Sequence, residues 1–123
     1  MREALTLVQR GTSLLQQYES SGVLGDLEDA TEALRNANEI LPEDDQEKAA
    51  CLTNLGIAFV SRFDRLGDLV DLDEAITTQQ QAFRLTPDGH PDKPACLNNL
   101  GNSFHRRFES LGDLVDLDQA ITA

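Results

Sequence analysis

The chain has no tryptophan, one tyrosine, one methionine and four prolines, and its aromatic content is 5% over 123 residues. Half-buried strands draw on aromatic and β-branched residues in strict alternation with polar ones. No such run occurs here, so the expected fold is all-α. Nor is there a stretch near the roughly 18 consecutive apolar residues of a membrane span. Met1-Arg2-Glu3-Ala4 runs into mixed polar sequence and not into the apolar block of a signal peptide. Basic side chains are also scarce: 10 Lys and Arg stand against 22 Asp and Glu, a net charge of −12. That balance argues against nucleic acid, whose phosphates need Lys and Arg to displace counterions. It argues equally against an anionic membrane surface. The partners it favours are neutral or basic, and the expected location is cytoplasmic.

Cysteine is limited to Cys51 and Cys96. They occupy equivalent places in stacked units, where matching atoms lie about 9–10 Å apart or more, beyond disulfide reach. Both are therefore expected to be buried, reduced and apolar in behaviour. No His, Cys or acidic cluster accompanies them at metal-ligand spacing. His90 and His105 have no nucleophile or carboxylate at a spacing that suggests a catalytic dyad or triad. Asp68, Asp71, Asp73 and Glu74 lack the spacing and central glycine of a calcium loop. The sequence predicts no enzyme, no metal and no cofactor.

What the chain does have is a repeat. Cys51-Leu52-Thr53-Asn54-Leu55-Gly56 returns 45 residues later as Cys96-Leu97-Asn98-Asn99-Leu100-Gly101. The same shift carries Gly67-Asp68-Leu69-Val70-Asp71-Leu72-Asp73 onto Gly112-Asp113-Leu114-Val115-Asp116-Leu117-Asp118. Moving back by 45 places Pro87 on Pro42, Leu72 on Leu27, Ala75 on Ala30 and Gly56 on Gly11. A period of this size marks stacked units, each covering the apolar face of its neighbour. The units run from about 1 to 42, 45 to 87, and 90 to 123, the last with its second helix cut short.

Within a unit, Leu52, Leu55, Gly56, Phe59, Phe63 and Leu66 form one apolar stripe at helical spacing, repeated by Leu97, Leu100, Gly101, Phe104, Phe108 and Leu111. Gly67 and Gly112 are suited to the left-handed conformation that ends a helix. After a short connector, Asp71 with Glu74 reads as an N-cap pair, as do Asp116 with Gln119 and, more weakly, Asp26 with Asp29. The second helix carries Leu72, Ala75, Ile76, Gln79, Ala82 and Phe83 and stops at Pro87. Asp44 is placed to cap the following helix, with Glu47 in its first turn.

Leu52-x-x-Leu55-Gly56-x-x-Phe59 resembles the first-helix signature of tetratricopeptide repeats, and Ala75, Gln79, Ala82 and Pro87 match the second-helix half. Ala30, Leu34, Ala37 and Pro42 match that half more fully. The resemblance covers essentially the whole chain and implies a right-handed α-α superhelix, a solenoid of helix-turn-helix repeats. The unit departs from the usual 34 residues, with about seven extra between Phe59 and Ala75 and about four between Pro42 and Leu52. Seven residues are close to two turns, so the insertion is expected to lengthen both the first helix and the turn. Long units of this kind resemble the extended arrays of fungi and actinobacteria found beside CHAT domains and, more loosely, those of kinesin light chains. The first unit is eroded, with Arg10 where Leu55 and Leu100 stand. A last helix ending at Ala123 is expected to belong to a longer array.

In the family so resembled, first helices line a concave groove that takes extended peptides. The implied groove residues are Asn54 and Asn99, with Gln9 in the matching place of the first unit, and Asn98, Asn102, His105 and Arg106. An amide suits the task because it offers a donor and an acceptor to a peptide main chain. Asn54 and Asn99 have the plainer alternative of bonding to a neighbouring helix. Arg106 has no counterpart in the second unit, where Ser61 stands, so a full carboxylate clamp is absent. Arg62 and Arg107 are expected to pair with acids of the adjacent turn. The function implied is a scaffold that binds a peptide or protein. The alternative is a spacer that associates end to end, including as a homodimer through the truncated C-terminal repeat.

Overall fold

The computed structural model of the chain describes residues 2–111. Among these lie five helices and no strand: α1 (Arg2–Ser21), α2 (Leu24–Ile40), α3 (Gln46–Leu66), α4 (Leu69–Leu85) and α5 (Lys93–Ser110). The protein is all-helical over the described residues. The expectations placed on Gly112, Leu114, Asp116, Leu117, Gln119 and Ile121, and on a shortened last helix, lie outside them.

Two residues join the helices of each hairpin, Gly22-Val23 and Gly67-Asp68. Both glycines adopt left-handed backbone, with φ of 70° and 76°. Their N–H groups return to Tyr18 O and Phe63 O, each at 2.7 Å, which closes the helix end in the manner expected of Gly67. The turn is not lengthened, contrary to the expectation. The extra residues lie in the helices, because once a helix is nucleated each added residue contributes another backbone hydrogen bond.

The caps move with the helix ends. α4 begins at Leu69, and Asp68 is its N-cap, Oδ1 accepting from Val70 N at 3.0 Å. Asp71, expected to be that cap, is instead a buried residue of the first turn. Asp45, not Asp44, caps α3, its Oδ1 accepting from Glu47 N at 2.8 Å. α2 starts after Val23 with no side-chain cap, which leaves Asp26 inside the first turn.

α1 packs along α2, and α3 along α4, with α2 on α3 and α4 on α5 joining one hairpin to the next. The glycines of the apolar stripe set how closely a hairpin closes. A Cβ at Gly11 would lie 2.5 Å from Leu34 Cγ, and one at Gly56 would lie 2.7 Å from Gln79 Cγ. Alanines on both helices of each hairpin add to the close fit, and Ala4, Ala30, Ala37, Ala58 and Ala75 are all fully buried. Leu15, Leu27, Leu34, Leu55 and Phe59 fill the space between, each contributing about 1.5–3 kcal/mol by leaving water. Gln79 stands where Leu34 stands one unit earlier. It is buried as well, and its Oε1 accepts from Ser103 Oγ of α5 at 2.6 Å.

The chain's two lysines are 45 residues apart and do one job. Lys48 Nζ donates to Asn38 O and to Leu41 O (3.0 Å for the latter) at the end of α2. Lys93 Nζ donates to Phe83 O at 2.8 Å and Thr86 O at 2.7 Å at the end of α4. The last carbonyls of a helix lack intrahelical partners and carry partial negative charge, which an ammonium group neutralises. Each lysine thus fastens the start of a first helix, α3 or α5, to the end of the hairpin before it.

Candidate binding site

The first helices are neighbours in sequence order, since α1 touches α3 and α3 touches α5. Asn54 is half-buried at the α1–α3 contact, where its Nδ2 donates to Thr12 Oγ1 at 3.1 Å. Thr12 passes its own proton to Val8 O at 2.8 Å. One of the two Asn54 amide hydrogens thus goes to a neighbouring helix, the plainer of its two expected roles, and leaves the other hydrogen and the carbonyl oxygen. Asn99 repeats the position of Asn54 and is also half-buried, but the residue matching Thr12 on α3 is Ile57, which has no hydroxyl.

Arg106 holds its guanidinium against a carboxylate of the preceding first helix. Nε and Nη2 donate to Asp64 Oδ1 and Oδ2 of α3 at 3.0 and 3.2 Å, a two-point fit of planar cation to carboxylate. Arg62 lies 3.2 Å from Glu28 and 3.7 Å from Asp71, and Arg107 lies 3.4 Å from Asp73. The expected pairing with acids is present for both, with the acids in helices and not in the turn. Asn98, Asn102 and His105 are exposed along α5, His105 Nε2 lying 3.5 Å from Glu109. Gln9 is exposed on α1, with α3 between it and the α5 group.

A second feature involves none of the expected groove residues. Between the two connectors, where the start of α3 meets the end of α4 and the start of α5, lies a cleft of about 520 Å³. Glu43, Asp44, Asp45 and Asp92 stand around it, and Ala49, Ala50, Leu85 and Pro87 supply its apolar wall. Of the four acids the sequence marks only Asp44, and as a helix cap; they sit in two connectors about one period apart, and only folding brings the connectors together. The only signal in the period is partial: a shift of 45 puts Glu43 on Asp88 and Glu47 on Asp92, while Asp44 and Asp45 fall on Gly89 and His90.

Both cysteines are free and buried, as expected. Burial pushes the Cys51 thiol up to about 11, the nearby Lys48 opposing the rise and Glu47 adding to it. Its Sγ lies 3.3 Å from Leu34 O. Cys96 borders the cleft, 3.7 Å from Thr86 Oγ1 and 3.9 Å from Thr53 Oγ1. Among the described residues no group of three or more His, Cys, Asp or Glu is placed to hold a metal ion. No helix among them is long and apolar enough to cross a membrane. No protein-family model, curated protein or solved structure matches the chain.

Proposed function

We propose that this chain is a protein-interaction module, a right-handed α-α superhelix of long tetratricopeptide-like repeats that holds a peptide or protein partner along its first helices. The observation that carries the reading is the row of exposed polar side chains on α5, Asn98, Asn102 and His105, on a first helix that follows α3 as α3 follows α1. With Asn54 and Arg106 engaged internally, the peptide-facing groups are Asn98, Asn99, Asn102 and His105, with Gln9 at the far end. The acidic surface suits a neutral or basic partner, by the charge complementarity that steers association. The reading gives the chain no reaction to catalyse and no cofactor.

The test is selection of peptides from a displayed library on the whole chain, followed by titration against an Asn99→Ala/Asn102→Ala variant. Loss of contact residues should weaken binding at least about fivefold, with amide shifts along α1, α3 and α5. Unchanged affinity in that variant would overturn the groove.

A specific observation favours a second reading, self-association through α5. Leu97, Phe104 and Phe108 are large, apolar and exposed. Sedimentation that shows a dimer, dispersed by Phe108→Ser, would support it. A monomer at every concentration up to the solubility limit would remove it.

A further inference from the structure

We propose that the cleft between the connectors is a second binding site, one that receives a lysine or arginine side chain of a protein partner. Its volume, about 520 Å³, falls within the range of ligand pockets, whereas a cavity near Arg10 is about 140 Å³. Two independent features of the lining specify the occupant. The first is the balance of charge: Glu43, Asp44, Asp45 and Asp92 line it from two connectors, against one imidazole, His90, 3.8 Å from Asp92, and one amide, Gln46, and the protein as a whole carries −12.

The second is the state of the hydroxyl groups. Thr86 is 4% exposed and donates its proton to Ala82 O at 2.8 Å. Thr53 donates its own to Ala49 O at 2.9 Å. With both protons committed, the oxygens have only lone pairs left for a ligand, and the Cys96 thiol, 3.7 and 3.9 Å away, competes for them only as a weak donor. The cleft therefore has acceptors in excess of donors at its buried end as well as at its rim. What fits is a group rich in N–H donors and carrying positive charge. The apolar wall of Leu85 and Pro87 adds a requirement for a hydrocarbon stem behind that charge. Lysine and arginine side chains combine an aliphatic stem with a multi-donor cationic head.

The site shares no residue with the first-helix row, so either can fail without the other. The experiment titrates a Gly-Lys alternating peptide, blocked at both ends, into the isotope-labelled full chain. Parallel titrations use its glutamine analogue, its diaminopropionate analogue (charge without stem) and spermidine. The expected result is a shift of amides in residues 43–53 and 85–96 by the lysine peptide alone. A Glu43→Gln/Asp44→Asn variant should bind it about five- to tenfold more weakly, the effect of removing two partly exposed charges. Asp45 is left in place because it caps α3, and an unchanged thermal melt shows that the variant is folded. The Asn99→Ala/Asn102→Ala variant should bind this peptide as the parent does. Equal binding by the glutamine or diaminopropionate analogue would overturn the proposal, as would an unaffected double variant. Spermidine binding as well as the peptide would assign the cleft to free polyamines and overturn a protein occupant.

Discussion

α3 and α5 carry nearly the same apolar stripe and meet opposite fates. Leu52 and Phe59 of α3 are 1% and 2% exposed, whereas Leu97 and Phe104 of α5, their copies 45 residues on, are 57% and 43% exposed. The helices are close in length, and each follows a connector with a proline in its second position. Among the described residues the difference is α4, which lies along α3 and closes over its stripe, with no described helix in that place beside α5. Burial in a repeat is thus a property of the neighbour, and the motif only makes burial available. The same division holds for polar residues. Asn54 finds Thr12 across the α1–α3 contact, while Asn99 meets a unit that has isoleucine in that place.

The largest expected effect tests this contrast directly. Phe59→Ala should cost about 3–5 kcal/mol in urea unfolding, the range for emptying an aromatic site in a core. Phe104→Ala should cost under about 1 kcal/mol, the range for surface positions. If the two variants lose the same amount, the α5 stripe is covered in solution, and the concentration dependence of the loss then tells a second copy from the chain itself.

Three glycines sharpen the comparison at smaller amplitude. Alanine at Gly11 would press on the branch point of Leu34, which cannot swing aside, and should cost about 1–3 kcal/mol. At Gly56 the obstacle is Gln79 Cγ, part of a flexible side chain, so the cost should be lower, though the bond to Ser103 is disturbed. At Gly101 nothing among the described residues lies within 4 Å of an added Cβ. There alanine should stabilise, by up to about 1 kcal/mol, through helix propensity alone. Thermal melts of the three variants give the order, and destabilisation at Gly101 would mean that α5 has a close neighbour in solution.

Much of this was legible in the residues. The 45-residue period and the spacing of Leu52, Leu55 and Phe59 specified paired helices, and Gly67 marked a helix end. The buried state of both cysteines followed from their place in the period. Helix starts were harder, because a run such as Gly67-Asp68-Leu69-Val70-Asp71 offers two aspartates as caps, and only backbone geometry chooses Asp68. Pairings across units were harder still. Arg106 with Asp64, and Lys48 with the end of α2, join residues whose separation has no helical logic, and the stacking of hairpins alone brings them together. Lys48 and Lys93 did carry a signal, being the chain's two lysines and one period apart.

The smallest effect concerns a pair of copied aspartates. Asp26 accepts from the Gln17 amide at 3.0 Å and the Ser21 hydroxyl at 3.1 Å near the surface. Asp71, its copy, is buried, 3.7 Å from Arg62, and its Oδ2 has no hydrogen-bond partner among the described residues. Burial raises the Asp71 carboxyl above its ordinary 3.8; Arg62 opposes the rise, and Asp68 and Glu28 add to it. A folded-state carboxyl that holds its proton more tightly than the unfolded chain makes stability fall as pH rises. The window opens at 3.8 and closes at the raised value, above which the penalty is constant. Asp71→Asn removes that term and leaves Arg62 its closer partner, Glu28, at 3.2 Å. Relative to the parent, the variant should therefore gain stability as pH rises through the window. At neutral pH it should lie within about 1 kcal/mol of the parent, on the favourable side. Urea unfolding of both chains from acid to neutral pH reads the difference, with the other carboxylates cancelling. A variant that loses ground as pH rises would show that attraction to Arg62 outweighs burial at this site.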